Sequence, residues 1–124
     1  MINKLSKQVH ENAKAHGFFD KEKNIGEMLC LIHSEISEAL EADRKNDYCH
    51  IRGTYIDAIN KIERDADFVV NYKIWVKGTF EEEMADIVIR VMDLCAFKNI
   101  DLEAHIKAKM RYNSLREYKH GKKY

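Results

Sequence analysis

The chain of 124 residues contains no proline and only five glycines, the two residues that most often interrupt a helix. No apolar run approaches the roughly 20 residues that a membrane-spanning helix needs. Its three cysteines are an odd number without a CxxC pair, which fits a reducing compartment and not a disulfide scaffold. These absences predict a protein built from long helices, with neither a membrane span nor a disulfide framework.

An excess of charge of one sign is also missing. The 21 basic side chains (Lys and Arg) balance 21 acidic ones, so the formal net charge is zero. A general nucleic-acid binder would be basic, and the balance therefore argues against that class. The first residues are polar and amphipathic and lack the apolar segment of a signal peptide. We therefore expect a soluble, cytoplasmic protein with no nucleic-acid or membrane partner.

The chain does have enough apolar content for a core, 45% hydrophobic against 34% charged, and its length suits a single domain over residues 1–124. Apolar residues spaced three and four apart predict an all-α fold, an antiparallel bundle of four to five helices. The predicted helices cover about 4–16, 24–45, 79–98 and 101–118. An insert at about 48–78 is left open, because its second half could be extended or helical.

Residues able to cap helix ends lie at the predicted boundaries. Asn24 with Glu27, and Thr79 with Glu82, each have the spacing of a capping box. Gly17 is placed to end the first helix, and Asp101 is placed to cap the last one. These local signals fix the starts of the two helices that carry the most unusual acidic residues.

Those acids lie in "HSEISEALEADRK" (33–45) and "FEEEMADIVIRVMD" (80–93). At about 100° per residue, Glu35 and Glu38 fall roughly 80° and 140° to one side of the apolar stripe of their helix. Glu83 and Asp86 fall roughly 100° and 160° to the same-handed side of theirs. If the two helices pack antiparallel, the four carboxylates meet along one seam.

Such a cluster repels itself when partly buried, so it must take up protons or a cation. Oxygen ligands without a nearby His or Cys suit a hard ion, Mg²⁺ or Mn²⁺. The plainer alternative is that solvated acids simply flank each stripe. On the last helix, Lys109, Asn113 and Arg116 share a face that could contact phosphate, or could be solvated.

The two acidic pairs, ExxE at Glu35–Glu38 and ExxD at Glu83–Asp86, resemble the signature of the MazG-like all-α nucleoside triphosphate pyrophosphatases. The ending "KMRYNSLREYKHGKKY" is similar to the Lys-x3-Asn segment of that family and to the ending of its small members. "GFFD" and "GEMLCLIHSEISEALEADR" are similar to their front half. The resemblance covers roughly 8–45 and 78–124.

The resemblance implies Mg²⁺-dependent hydrolysis of a (deoxy)nucleoside triphosphate to the monophosphate and pyrophosphate. It implies that the four carboxylates are the catalytic metal ligands and that the substrate is a nucleoside triphosphate. It also implies a homodimer or homotetramer. The residues that would contact the substrate are Lys109, Asn113 and Arg116 at phosphate or sugar, and Phe18, Phe19 or Trp75 at the nucleotide base. For any one of these aromatic residues, a place in the core is the commoner alternative.

One departure from the family concerns the spacer of 44 residues between Glu38 and Glu83, which is longer than in most small members. The related dimeric dUTPases are more elaborate, so a dUTPase-type or nucleoside diphosphate-acting member is an alternative. A ferritin-like protein would need Glu-x-x-His on two helices, and only Glu117–His120 matches. The remaining rival is a non-catalytic helical interaction protein, which predicts no dependence on divalent ions.

Overall fold

A computed structural model describes all 124 residues and contains seven α-helices, one 3-10 helix and no strand. The all-α class is confirmed. The helices are α1 (Ile2–Ala15), α2 (Ile25–Arg44), α3 (Cys49–Arg52), α4 (Ile56–Asn60), α5 (Asp65–Trp75), α6 (Phe80–Phe97) and α7 (Leu102–Ser114), followed by the 3-10 turn Tyr118–Gly121. No helix combines the length and apolar character that crossing a membrane requires.

The chain forms two compact units. The terminal unit consists of Met1–Glu22 and Met92–Tyr124, and the central unit is Lys23–Val91. Helix α6 begins in the central unit and ends in the terminal unit. The four carboxylates singled out in the sequence all belong to the central unit.

In the terminal unit, the first turns of α1 and α7 cap each other. Asp101 accepts a hydrogen bond from the backbone of Ala104 at 3.0 Å, as the sequence predicted, and also one from the amide of Asn3 at 2.7 Å. The side chain of Glu103 accepts from the amino terminus and from the backbone N–H of Ile2. Free N–H groups of both helices are satisfied in this way, which holds the two ends together.

The insert left open by the sequence forms the three short helices α3, α4 and α5 in the central unit. The chain therefore has more helices than the four to five predicted. Cys49, Ile59 and Val76 form its buried core, and Trp75 packs against that core. The β-branched and aromatic residues of 68–76 suggested an extended alternative, but Phe68, Tyr72 and Trp75 pack against this core at helical spacing, whereas Val69, Val70 and Ile74 stay about half exposed (46–56%). This packing favours a helix, because tertiary contacts outweigh intrinsic preference.

Thr79 caps the start of α6 as predicted, and Glu82 reaches back to Gly78, one residue further than in a capping box. Fully buried Thr79 accepts a hydrogen bond from the backbone of Glu82, and the Glu82 side chain accepts from the backbone of Gly78 at 2.9 Å. Glu81, in the same turn, accepts from the backbone of Cys49 at 3.1 Å and so caps α3. The first turn of α6 is thereby tied to the insert, which fixes the helix that carries Glu83.

Two expectations for the helices need correction. The last helix ends at Ser114 rather than about residue 118, because the next residues bury nothing: Leu115 is 76% exposed and Tyr118 is 89% exposed. The apolar stripe predicted for α2 is buried only in part; its residues are Ile25, Met28, Leu29, Ile32, Ile36 and Leu40. Met28 is buried as predicted, whereas Leu29, Ile36 and Leu40 remain about half exposed in the single chain (47–48%). The other buried positions of α2 are Glu35, Ala39 and Ala42.

Candidate metal centre

Three carboxylates of the central unit converge. One oxygen from each of Glu35, Glu38 and Glu83 lies within 4.8 Å of the others. Glu35 and Glu83 are buried, at 6% and 8% exposure, whereas Glu38 is open to solvent. Two helices far apart in sequence thus bring buried acids to one point, as the helical angles predicted.

Arg90 is the basic side chain bonded to this cluster, and sequence inspection missed it. Its Nε donates a hydrogen bond of 2.5 Å to Oε1 of Glu35. The Glu35 side chain is 8% exposed and that of Arg90 is 39% exposed, so the ion pair runs from the interior to the surface. Arg90 lies four residues after Asp86 and seven after Glu83 on α6, a spacing that places all three on one helical face and could have revealed it.

The ionisation of Glu35 and that of Glu38 depend on each other, because the two side chains are hydrogen-bonded. Burial opposes the ionisation of Glu35, but hydrogen bonds from Glu38 and Arg90 outweigh it and hold the pKa of Glu35 below its ordinary value. The pKa of Glu38 is raised, first by its hydrogen bond with Glu35 and then by the negative charge of that carboxylate. A proton taken up by this pair therefore belongs on Glu38, which donates it to Glu35.

Glu83 holds a proton far more readily than an ordinary glutamic acid. Burial, followed by the negative charges of Glu38, Asp86 and Glu35, raises the pKa of Glu83 to about 7. Burial also raises the pKa of Asp86, and the charge of Glu35 adds to that shift. Asp86 lies outside the group of oxygens within 4.8 Å, but its charge acts on Glu83.

The insert contributes a second neighbour that the sequence did not reveal. Burial raises the pKa of the Tyr72 hydroxyl, and the carboxylates of Glu82 and Asp86 raise it further. Tyr72 also packs against the core of the insert. Helix α5 thus places a phenol next to the acidic face of α6. Because its position depends on how the insert folds, no local sequence signal identifies it.

The cluster is suited to a hard divalent cation. Its donors are all carboxylate oxygens, with no His or Cys among them, which favours Mg²⁺ or Mn²⁺ over zinc. Burial and then the charges of the neighbouring carboxylates raise the pKa of Glu83 to about 7, so the charge of Arg90 does not cancel the repulsion that Glu83 meets. A cation held by Glu35, Glu38 and Glu83 would supply the missing positive charge.

The predicted phosphate-binding residues belong to the terminal unit. Lys109 and Asn113 lie on α7, whereas Arg116 follows the end of that helix. The Lys109 ammonium lies 4.9 Å from the centre of the Tyr112 ring, and the Arg116 guanidinium lies 5.4 Å from it. The two cations therefore share one aromatic neighbour on an exposed surface.

The two aromatic residues assigned to the base are both in packed surroundings. The ring of Phe19 meets His10 edge-on at 4.6 Å and lies 5.2 Å from Phe97. Trp75 packs on the insert core, and Phe18 is 63% exposed. For Phe19 and Trp75 these contacts agree with the alternative that they belong to the core.

A groove of about 580 Å³ lies in the terminal unit rather than at the carboxylates. Lys7, His10 and Lys14 of α1 line it. His10 is held through Nδ1 by Asp93 at 2.8 Å, so its other ring nitrogen remains for a further contact. The groove lacks a group of acids able to hold an ion, and we therefore place the candidate chemistry at the carboxylate cluster.

Of the predicted site residues, the structure brings together Glu35, Glu38 and Glu83, with Asp86 in electrostatic contact. The assignment of these four as metal ligands, and of the others to substrate, stays a prediction. Comparison of the chain with protein-family models, with curated proteins and with solved structures gives no match.

Proposed function

We propose that this chain hydrolyses a (deoxy)nucleoside triphosphate to the monophosphate and pyrophosphate in a Mg²⁺-dependent reaction, as a MazG-like all-α pyrophosphohydrolase. The observation that carries the proposal is the convergence of the two acidic motifs: carboxylate oxygens of Glu35, Glu38 and Glu83 lie within 4.8 Å of one another. Solvated acids that merely flanked two apolar stripes would have no reason to meet in a buried place.

The chain's own residues have distinct roles in this proposal. Glu35, ionised and held by Arg90, is a permanent anionic ligand. Glu83 and Asp86 complete the anionic face of α6. Glu38 is the exposed member, so it can reach the attacking water and accept its proton. Mg²⁺ bound there would neutralise phosphate oxygens and favour attack by water.

In the overall reaction, water attacks the α-phosphorus and the bond from that phosphorus to the α–β bridging oxygen breaks. Pyrophosphate leaves with that oxygen, and the monophosphate gains the hydroxyl of the water. The resemblance assigns Lys109, Asn113 and Arg116 to phosphate and sugar, and Phe19 or Trp75 to the base. Those five assignments are part of the proposal and rest on the resemblance.

The order of contacts supports the antiparallel packing that this family would require. Arg90, two turns after Glu83 on α6, bonds to Glu35, the earlier acid on α2, whereas Glu83 lies near both Glu35 and the later acid Glu38. Opposite orders along two helices are those of an antiparallel pair. The bundle arrangement itself is proposed on this basis.

We also propose that the chain assembles as a homodimer or homotetramer. Leu29, Ile36 and Leu40 on α2 and Val88 on α6 are each about half exposed in the single chain (47–52%). Rows of large apolar side chains on neighbouring helices are commonly covered by a partner. A second copy would bury them at no cost to the carboxylates, which occupy a different face of α2.

The test is a panel of the eight common (deoxy)nucleoside triphosphates, with dUTP and the diphosphates added, each incubated with the protein and Mg²⁺. Monophosphate and pyrophosphate in equal amounts are the expected products. A product of inorganic phosphate alone, or no turnover of any nucleotide, contradicts the proposal. Turnover of dUTP alone, or of diphosphates, would favour the dUTPase-type alternative.

A matched pair of variants connects the activity to the cluster. Glu38→Gln removes the exposed member of the cluster, whereas Glu41→Gln changes an exposed acid one turn further along α2 whose partner is Arg44. Activity lost in the first variant and kept in the second is the expected result. If the chain is instead a non-catalytic interaction protein, neither variant will differ from the wild type, and divalent ions will not bind.

A further inference from the structure

The geometry points to Arg90 as a positioning residue that holds Glu35 in the orientation needed to receive a divalent cation. This inference rests on the proposed metal site and deepens it. The observation behind it is the hydrogen bond of 2.5 Å from Nε of Arg90 to Oε1 of Glu35. Arg90 would act through Glu35, without touching the ion or the substrate.

Glu35 needs such a partner because it is the most buried acid of the cluster, at 6% exposure. A buried carboxylate beside two others would turn away from them unless another group fixed it. Arg90 engages Oε1 of Glu35, and a cation could take the place of the proton through which Glu38 bonds to this carboxylate. Side chains that orient metal ligands from outside typically change metal affinity by about 10- to 100-fold when they are removed.

The contact is made through Nε rather than through a terminal nitrogen. Nε is the donor closest to the backbone and the one with the least freedom to move, so this bond restricts Glu35 more than a terminal contact would. The terminal nitrogens make no hydrogen bond in the structure, and the Arg90 side chain is 39% exposed. The guanidinium therefore has one hydrogen-bond partner, Glu35, although its charge also acts on Asp86 one turn earlier on α6.

The chain offers a matched control in Arg44. Arg44 donates to Glu41 at 2.8 Å on the same helix as Glu35, but both side chains of that pair are exposed, at 63% and 55%. Arg44→Gln removes the same charge from the protein and leaves the cluster intact. A general effect of net charge on cation binding would therefore appear in both variants.

The experiment measures binding of Mg²⁺, and separately Mn²⁺, to the full chain by titration calorimetry without nucleotide. Arg90→Gln is expected to bind roughly 10- to 100-fold more weakly than the wild type, Arg44→Gln to bind equally, and Arg90→Lys to recover part of the loss. In a Glu35→Gln background, Arg90→Gln should cause no additional loss, because Arg90 acts through Glu35. Circular dichroism and melting confirm that each variant is folded.

Undiminished affinity in Arg90→Gln would overturn the inference, as would an equal loss in the Glu35→Gln background. If Arg90→Gln does not fold, ion binding is measured with Arg90→Lys, which keeps the positive charge but lacks the Nε donor. Wild-type affinity in that variant would overturn the inference. A wild-type chain that binds neither ion would refute the proposed function, and this inference with it. The two failures are therefore distinguishable.

Discussion

Helix α2 has two faces that differ in an unexpected way. One face buries Glu35 together with Met28, Ala39 and Ala42. The other carries Leu29, Ile36 and Leu40, and each of these is about half exposed (47–48%). A helix normally buries its large apolar residues and exposes its acids, because burial of an unpaired charge is costly.

The small alanines explain how the acidic face can be inside. Ala39 and Ala42 are 4% and 5% exposed, and their small side chains allow neighbouring groups to approach this face of α2 closely, beside the buried Glu35. The large apolar side chains are left on the outside, available to another copy. We therefore propose a separate role for each face, with ion binding on the acidic face and assembly on the apolar face.

The largest effect is expected when a carboxylate of the proposed ion site is replaced. Asp86→Asn and Glu38→Gln should each lower kcat by on the order of 100-fold or more, because several kcal/mol of charge stabilisation at the phosphates is lost. The melting temperature of the chain without ion should hold or rise, since one of several repelling charges disappears. Steady-state kinetics and thermal melting measure the two effects.

Glu41→Gln serves as the control for that prediction, because Glu41 is exposed and paired with Arg44. A melting temperature that collapsed in Asp86→Asn would mean that this carboxylate stabilises the fold, and its place in the ion site would be lost.

The next largest effect should follow from a charge on the apolar face. Leu40→Glu combined with Val88→Glu would place two carboxylates in the proposed contact between copies, where an unpaired charge is costly to bury. We expect the assembly to dissociate into single chains while each chain stays helical. Sedimentation velocity and circular dichroism test this directly.

Leu115→Glu is the matched control, because Leu115 is 76% exposed and lies beyond the end of α7. The proposed role of the apolar face is wrong if the wild type sediments as a single chain, or if the double variant keeps the wild-type mass.

A third effect concerns the pH dependence of stability. The pKa of Glu83 is about 7 in the folded chain against an ordinary 4.5. Between these values the folded state holds the proton more tightly, so the free energy of unfolding falls as pH rises from 4.5 to 7 and stays low above 7. Glu83→Gln should reduce the dependence of the free energy of unfolding on pH. It should also stabilise the chain without ion by about 1–3 kcal/mol at about pH 8.

Urea unfolding at about pH 5 and about pH 8, with a chelator present, measures that difference. The wild type and Glu83→Gln should be close in stability at the lower pH and well separated at the higher one. Equal separation at both values would show that the effect of the substitution does not come from the charge of Glu83.

The smallest effect is expected at the start of α6. Thr79→Val keeps the volume of the fully buried Thr79 side chain but removes the hydroxyl that donates to Val76 and accepts from Glu82. A lost N-cap costs about 1 kcal/mol. Thr79→Ser, which keeps the hydroxyl, should lose less. Urea unfolding at neutral pH measures the stability of both variants. If Thr79→Ser is the less stable of the two, packing of the side chain outweighs the cap.

Features of the fold that depend on neighbouring residues in sequence could be predicted. The caps at Asn24, Thr79 and Asp101 and the stop at Gly17 agree with the structure, because each is a bond or backbone geometry within one turn. The bounds of α1, α2 and α6 agree within about two residues, as such assignments normally do. The insert could not be assigned, since its helices form on their shared core.

The candidate site was predictable only in part. Helical angles place Glu35, Glu38 and Glu83 on sides that can meet, and the three do meet. The angles could not tell which side of α2 is buried, because that depends on the partner across the interface. Arg90 reaches the cluster, and Tyr72 reaches the neighbouring acids Glu82 and Asp86, through tertiary contacts. Helical spacing gives a sign of Arg90 but none of Tyr72.

Anomalous diffraction from crystals of the chain grown with Mn²⁺ would locate the ion itself. We expect a single strong peak among the carboxylates of Glu35, Glu38 and Glu83, at about 2.0–2.3 Å from their oxygens. A structure with Mn²⁺ bound elsewhere, and with these carboxylates joined only to one another and to Arg90, would contradict the proposed metal centre.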